Sequence, residues 1–211
     1  EGIAYTKTDQ GEDTKLAFFF GNRDCVELSW QKETGETELE ALLLAETNVT
    51  SKLIPGAMQT GVDLAYRVLR AGVDEFQIAV PAPHEVLSVE GSNIKEWTVD
   101  ANQLVVKLHT PAKEHYALKL RLEAGIAELP AKIQPPTIVT ENTIRQNGTL
   151  NVSAAPQLEA AIEASTGLTQ QAIVAQKGVE VPNLGSFRFL RAPYAMTLAV
   201  SKAAPIVEID S

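Results

Sequence analysis

The stretch QLVVKLHTPAKEHYALKLRLE (residues 103–123) has the clearest pattern in the chain, an alternation of apolar and polar residues on both sides of TPAKE. Every second residue of its second half is apolar: Tyr116, Leu118, Leu120 and Leu122. Successive side chains of a β-strand point to opposite faces, so this half is a strand with one buried face, and Lys119 and Arg121 lie on its solvent face. We predict a hairpin with residues 103–109 and 115–123 as arms and TPAKE as its loop.

The same alternation recurs along most of the chain. In GVDLAYRVLRAG (residues 61–72) every second residue from Val62 to Val68 is apolar, and CVELSW (residues 25–30) behaves alike. Further strands are expected over residues 16–20, 37–46, 75–80, 85–91, 96–100, 186–192 and 194–203. Turn-forming residues separate these segments, which is typical of sandwiches and barrels. We therefore predict an all-β protein of about ten to fourteen strands, in two packed antiparallel sheets that form an extended β-sandwich.

The segment GVDEFQIAVPAPHEVLSVEG (residues 72–91) breaks its alternation at Pro81, Ala82, Pro83 and His84. A short break bracketed by prolines suits a corner between two strands better than a mobile catalytic loop. We predict a strand corner here and no catalytic role for His84.

Helical segments are scarce, and we expect at most one or two short helices. The best candidate is residues 169–175, although Leu158, Ala160 and Ile162 just before it also fit strand alternation. Residues 124–148 have a weaker pattern and contain three prolines, so they are expected to form a connector. We predict a single extended body over residues 1–211; the alternative is a sandwich over residues 1–123 with a smaller β domain over residues 149–211.

Composition restricts the partners. The chain has 27 acidic and 18 basic side chains, a net charge of −9, and no cluster of Lys and Arg. Nucleic acid is therefore not expected as a partner, and anionic membrane surfaces are poor candidates. No run approaches the ~20 apolar residues that a membrane span requires, so direct membrane insertion by this segment is not expected. The lone Cys25 lies among apolar residues and is interpreted as a small buried hydrophobe.

The two ends of the sequence suggest part of a longer protein. It opens EGIAYTKT, without an initiator methionine or a signal-like segment, and closes on the strand-like APIVEIDS. We expect a segment excised from a larger chain.

Histidines and carboxylates are the natural candidates for catalysis or metal binding. His109 and His115 flank the predicted loop and would face each other on the solvent side, with Glu114 as the adjacent carboxylate. A zinc site needs three or four fixed ligands, so we interpret both histidines as surface residues. Acidic residues alternate at Glu36, Glu38 and Glu40, which indicates one strand face rather than a calcium loop: no Asp/Asn/Gly loop accompanies them.

No nucleophile elbow, phosphate loop or HExxH helix is present in the sequence. The sequence thus predicts no catalytic, cofactor-binding or metal-binding residue, and no cofactor.

Exposed aromatic residues would indicate glycan binding. Trp30 and Trp97 continue apolar alternations and are expected in the core, whereas Tyr5 and Tyr194 are less constrained. Three Asn-x-Ser/Thr sequences begin at Asn48, Asn147 and Asn151 and match the N-glycosylation pattern. So short a pattern often arises by chance, and we assign these sequences no function. The Asn147-Gly148 pair is predicted to form a tight turn.

Residues 66–123, 147–171 and 187–200 resemble segments of large uncharacterised bacterial envelope or surface proteins built of all-β repeats. The shared pattern is Phe-x-φ-x-φ-Pro, then Val-x-x-Val-x-Gly, a Trp and an alternating hairpin, seen here as FQIAVP, VLSVEG and Trp97 before residue 103. The resemblance covers about residues 60–200. It implies an extracytoplasmic β-sandwich module, in the periplasm or at the cell surface, and it brings no catalytic residues.

Three functions follow as expectations. The leading one is a non-catalytic structural or protein-interaction module of a larger envelope protein, whose partner is another protein or a neighbouring domain of the same chain. The alternatives are a carbohydrate-binding module, with a glycan as ligand, and a hydrolase domain. Edge strands are the expected contact surface.

Overall fold

The computed structural model describes residues 4–10, 13–19, 41–172 and 183–203. The regular elements among these residues are fourteen β-strands: β1 Ala4–Gln10, β2 Asp13–Phe19, β3 Leu42–Ile54, β4 Ala57–Ala79, β5 Glu85–Gly91, β6 Ile94–Asp100, β7 Gln103–Gly125, β8 Ala131–Ile133, β9 Val139–Thr140, β10 Thr143–Ala154, β11 Leu158–Thr166, β12 Thr169–Gln171, β13 Gly185–Phe189 and β14 Ala195–Lys202. The all-β prediction is confirmed for this part of the chain. None of the described residues forms a helix able to cross a membrane.

The chain divides into two compact units, Glu1–Thr37 and Glu38–Ser211. In the first, β1 and β2 pair antiparallel. The second contains all other strands. Its large sheet has the order β12-β13-β10-β3-β4-β7-β5, with β6 also paired to β7 and β9 to β4, and its small sheet has the order β11-β14-β8. The prediction of one body, and its two-domain alternative, remain predictions.

The large sheet is mixed, and the prediction of purely antiparallel pairing was wrong. β3 and β10 run parallel from Leu43 opposite Thr143 to Leu53 opposite Ala154. Parallel neighbours need a long crossover between them, here the whole chain from β4 to β9. Alternation within a strand is the same for either direction, so it carries no information about this pairing.

The predicted hairpin at residues 103–123 was also wrong. β7 continues through TPAKE, and Ala112 in that segment pairs with Val73 of β4. The β4–β7 ladder is irregular there, with register shifts between Val68 and Glu75 and a left-handed backbone at Glu114, whose φ is 62°. Pro is tolerated in a strand at such irregularities, so Pro111 marks a distortion of one strand and not a loop between two.

The β4–β7 ladder bends back on itself at residues 69–74 of β4 and 109–114 of β7, which we call the bend. The ring centroid of Phe76 lies 4.5 Å from that of Tyr66, ten positions earlier in β4. Ten residues of straight strand would separate them by about 33 Å. Arg70, with a φ of 70°, lies between them. Each strand therefore contributes two halves that face each other.

The core fills the space between these halves. The alternating residues of both strands are buried as predicted: Val62, Leu64, Tyr66, Val68, Tyr116, Leu118, Leu120 and Leu122. Lys119 and Arg121 are exposed. The buried and exposed strand faces assigned from the sequence are thus confirmed, although the predicted hairpin loop at TPAKE was wrong.

One further local prediction was wrong. The expected helix at residues 169–175 begins with strand β12, which pairs with β13, and its residues from 173 on lie outside the described residues. Residues 124–148 contain the end of β7, the short strands β8 and β9 and the start of β10, and their role as a connector remains a prediction. In both places short strands gain their stability from neighbours distant in sequence, which local propensity does not reveal.

Candidate functional site

His84 lies at the corner between β4 and β5, as predicted. Its backbone N–H donates to the carbonyl oxygen of Pro81 over 3.1 Å, which closes a tight turn. Its imidazole Nδ1 lies 3.2 Å from the same oxygen. The side chain is only 9% exposed, so the corner holds a buried imidazole and not a surface one.

The corner determines which tautomer His84 adopts. A carbonyl oxygen only accepts hydrogen bonds, so Nδ1 carries the proton and donates it to Pro81. Nε2 is then a bare acceptor, and it is buried without a hydrogen-bond partner among the described residues. Burial lowers the pKa of His84, and the bond to Pro81 opposes this only in part. The ring is therefore neutral near pH 7.

A cavity of about 400 Å³ opens beside this corner. Its walls are Met58, residues 81–84, residues 124–128 at and just beyond the end of β7, residues 131–135 and Thr137. Most of the lining is apolar, with His84, Glu128, Lys132, Gln134 and Thr137 as its polar side chains. A mostly apolar concavity of this size with few polar groups is typical of small-molecule sites, which span roughly 300–1,000 Å³.

The cavity does not contain a recognisable catalytic set. Glu128 lines it together with His84, but Nδ1 of His84 bonds to a backbone carbonyl and not to a carboxylate. The residues that line it include no serine or cysteine. A base held by a carboxylate beside a nucleophile, as covalent hydrolysis requires, is therefore not formed by these residues.

His109 and His115 are both exposed, and they are not paired with each other across a hairpin. Both lie in the continuous strand β7, six positions apart. The backbone N–H of His109 donates to Asn93 O, and His115 pairs with Arg67 of β4. Within the described ranges no group of three or more His, Cys, Asp or Glu side chains is placed to hold a metal ion.

Trp97 is 39% exposed, so its predicted place in the core was wrong. It pairs with Val106, which is buried, and Val99 pairs with Leu104, which is also buried. Directly paired residues share a sheet face, so Trp97 and Val99 do lie on the core-facing side of β6. Among the described strands β6 pairs only with β7, so both residues lie at an edge of the sheet.

The neighbouring edge strand β5 exposes a further apolar side chain. Its pairing with β7 shifts register between Val86 and Ser88, and Leu87 between them is exposed. Such a bulge places an extra residue outside the regular alternation. We call Trp97 and Val99 of β6 the apolar edge.

The remaining candidate aromatic residues provide no stacking surface that the structure describes. Tyr194 is buried, packs against the ring of Phe189 at 4.4 Å and donates its hydroxyl hydrogen to Pro136 O. The side chain of Tyr5, in β1, lies outside the described residues, as do Trp30, Cys25 and the three acidic residues Glu36, Glu38 and Glu40.

The Asn-x-Ser/Thr sequences lie on the solvent face of the large sheet. Asn48 is in β3, and its Oδ1 accepts a hydrogen bond from Thr149 Oγ1 of β10 at 2.8 Å. Asn147 and Asn151 lie in β10. The predicted turn at Asn147-Gly148 was wrong, because both residues lie in β10 and pair with Glu46 and Thr47 of β3.

Sequence reasoning missed the cavity, because its walls come from segments far apart in the chain. One signal was available: prolines at 81, 83 and 135 line the cavity, and prolines bring irregular backbone with them. The apolar edge was missed for a different reason. Alternation identifies the face on which a side chain lies but not whether a second layer covers that face.

No protein-family model matches the chain, and no curated protein matches it. Similar solved structures include the M1 zinc metallopeptidase from Deinococcus radiodurans, 13% identical with a TM-score of 0.44, with 75% of this chain and 42% of that chain covered. Another is a two-domain M1 zinc metallopeptidase mutant bound to L-tryptophan, 13% identical with a TM-score of 0.46, with coverage of 74% and 42%. The chain thus spans less than half the length of these structures. A similarity of this size assigns no activity to this chain.

Proposed function

We propose that this segment is a non-catalytic interaction module of a larger bacterial envelope or surface protein, located outside the cytoplasm. It docks through the apolar edge onto another protein or a neighbouring domain of its own chain. The two halves of the bent β4–β7 ladder are the two layers of a β-sandwich. The envelope location rests on the resemblance of residues 60–200 alone.

The observation that carries the docking role is the exposure of Trp97 and Val99 on the core-facing side of β6. A tryptophan ring on that side normally stabilises a fold or a complex by being buried. An uncovered ring leaves a large apolar surface in water. Aromatic residues of this kind are frequent energetic centres of protein interfaces. On its other side β6 pairs with no strand that the structure describes, and its backbone groups there offer a place for another strand to pair.

A capture experiment tests the docking role. The full-length parent protein, tagged, is used to recover partners from envelope extracts, with and without the double substitution Trp97→Ala and Val99→Ser. Leu190→Ala is the matched control, since Leu190 is 63% exposed and lies apart from the edge strands. A partner lost only with the double substitution supports the proposal. An unchanged set of partners, together with a Trp97 side chain that is solvent-accessible in the unaltered parent protein, contradicts it.

The second candidate is glycan binding, and the same exposed tryptophan favours it, because sugars stack on aromatic faces. A glycan array separates the two functions. Reproducible micromolar binding that Trp97→Ala abolishes would establish the glycan role. The hydrolase alternative receives no comparable support from the described residues.

A further inference from the structure

We propose that the solvent face of the large sheet binds a small phosphate monoester with a hydroxyl-bearing body, in a cavity formed by β7, β4, β3 and β10. We call it the arginine cavity. Its volume is about 370 Å³, and its lining consists of residues 44–46, residues 65–67, His115, Arg145 and Asn147. Neither residue of the apolar edge lines it. The site therefore goes beyond the interaction role proposed above and stands independently of it.

The first argument is that the sheet register brings cationic residues from distant parts of the chain to one place. Arg67 of β4 pairs with His115 of β7 and, on its other side, with Leu44 of β3. Leu44 in turn pairs with Arg145 of β10. Directly paired residues share a face, and both arginines and His115 are exposed on it. Because strands lie ~4.8 Å apart, about 10 Å separates the backbone at Arg67 from that at Arg145, which two long side chains can span.

The second argument is that the two arginines have no counter-ion. Neither Arg67 nor Arg145 forms an ion pair with any residue that the structure describes. Elsewhere on this face a charge does have a partner, since Lys119 Nζ lies 3.8 Å from Asp63 Oδ1. Like charges on one sheet face repel each other, and an anion held between them removes that repulsion.

The third argument is the match of the lining to a phosphate monoester. The guanidinium of arginine presents its N–H donors in a planar fork that fits two oxygens of a phosphate. Glu46 and Asn147 pair with each other across β3 and β10 and line the same cavity. A carboxylate accepts hydrogen bonds and an amide both donates and accepts them, so these two side chains suit hydroxyl groups. The charge of Glu46 also repels a second phosphate, so a monoester is favoured over a polyphosphate.

The charge of the whole chain indicates a small free molecule rather than a phosphate on a surface. The net charge is −9, which opposes approach to an anionic membrane. Two arginines in so acidic a chain provide for one anionic group but not for an extended anionic surface.

The test measures the binding of glucose 6-phosphate, inorganic phosphate and glucose to the unaltered protein by NMR titration at low ionic strength. We expect glucose 6-phosphate to bind with a dissociation constant of about 1 mM, as a few exposed charge-assisted hydrogen bonds allow. Inorganic phosphate should bind about tenfold more weakly, because it lacks the hydroxyl contacts, and glucose should not bind. The side-chain N–H resonances of Arg67 and Arg145 should shift on saturation with glucose 6-phosphate.

Four single substitutions locate the site. Arg67→Gln and Arg145→Gln each remove one guanidinium, and each should weaken the binding of glucose 6-phosphate by about tenfold or more. Arg121→Gln is the matched control, because Arg121 is an exposed arginine of β7 outside the cavity and its loss changes the net charge equally. Glu46→Gln should strengthen the binding of inorganic phosphate, because it removes a negative charge beside the anion. All four side chains are exposed, so the variants are expected to fold.

A loss of affinity for glucose 6-phosphate that is as large in Arg121→Gln as in Arg67→Gln would mean that only the net charge matters, and it would overturn the proposal. So would the absence of glucose 6-phosphate binding at about 10 mM, or a weaker binding of inorganic phosphate by Glu46→Gln. Binding to vesicles that contain phosphatidic acid, without binding of glucose 6-phosphate, would contradict a small free ligand.

Discussion

The ring of Phe76 stacks on that of Tyr116, with centroids 5.0 Å apart and planes inclined by 12°. In the β4–β7 ladder Phe76 pairs with Val106, whereas Tyr116 pairs with Tyr66. The stacked rings thus belong to different halves of the ladder, and they join those halves face to face. The same bend brings Pro81–His84, after the end of β4, beside residues 124–128 at the end of β7 and so builds the cavity.

Leu118→Ala and Lys119→Ala test the strand register of β7. Leu118 is 1% exposed, so its truncation leaves a cavity and should lower the free energy of unfolding by about 2–5 kcal/mol. Lys119 is exposed, and its ion pair with Asp63 is long at 3.8 Å, so its loss should cost no more than about 0.5 kcal/mol. Urea titrations measure both values. Equal losses would mean that the assigned faces are wrong.

Gly148→Ala and Gly61→Ala form a matched pair of strand glycines. A Cβ at Gly148 would lie 1.8 Å from Thr47 O and 2.7 Å from its carbonyl carbon, so β10 and β3 would have to separate. We expect a loss above about 3 kcal/mol, or failure to fold. A Cβ at Gly61 meets nothing within 4 Å, and its variant should be neutral or more stable by up to about 1 kcal/mol. Circular dichroism during urea unfolding checks both, and a mild Gly148→Ala effect would contradict the close approach.

Gln146→Ala tests the buried amide that links three strands. Its Nε2 donates to Thr47 Oγ1 and to Ile138 O, both at 2.9 Å, and its Oε1 accepts from the Thr140 backbone N–H at 3.0 Å. Removing it leaves three buried polar groups without partners, and we expect a loss of roughly 2–5 kcal/mol. Gln170→Ala, on an exposed position of β12, is the control and should change stability by less than about 0.5 kcal/mol. A loss no larger than that of the control would mean that these bonds do not form.

His84 should make stability depend on pH. Its folded pKa lies below the ordinary value of 6.5, because burial disfavours the charged ring. Between that folded pKa and about 6.5 the unfolded chain binds more protons, so the free energy of unfolding falls as pH falls through this window. The free energy of unfolding is measured against pH for the unaltered protein and for His84→Phe. The difference between the two slopes isolates the contribution of His84 from that of other groups, including Glu128 and Lys132 of the same cavity. Identical slopes in urea titrations from pH 7.5 to 5 would show that the imidazole is not buried in its neutral form.

The alternation of β4 and β7 was readable from the sequence because their side chains obey a period of two, which depends only on the strand. Residues Val62 to Val68 and Tyr116 to Leu122 are buried for that reason. Alternation does not reveal where a strand bends, and the TPAKE segment has the composition of a loop although it pairs with β4. The decision between loop and bend depends on β4, which lies more than thirty residues away.

The His84 corner was readable only in part. Its prolines predicted the break in strand pattern, and the structure confirms a corner there. The cavity depends on residues 124–128 and 131–135 lying beside that corner, a consequence of the bend. For Trp97 the alternation identified the correct face of β6. It did not reveal that the side chain is exposed, because exposure depends on the position of β6 at the edge of the sheet.

The distance between the two ends of the bent ladder tests the central claim most directly. Nitroxide labels are placed at Asp100→Cys, beside the start of β7, and Arg121→Cys, near its end, with Cys25→Ser to leave no other thiol; both positions are exposed. The five residues 80–84 join Ala79, paired with Gln103, to Glu85, paired with Glu123, so these ends must be close. We expect pulsed electron resonance to give a main distance below about 40 Å. A distance near 60 Å, as in a straight strand, would contradict the bend and with it the cavity at His84.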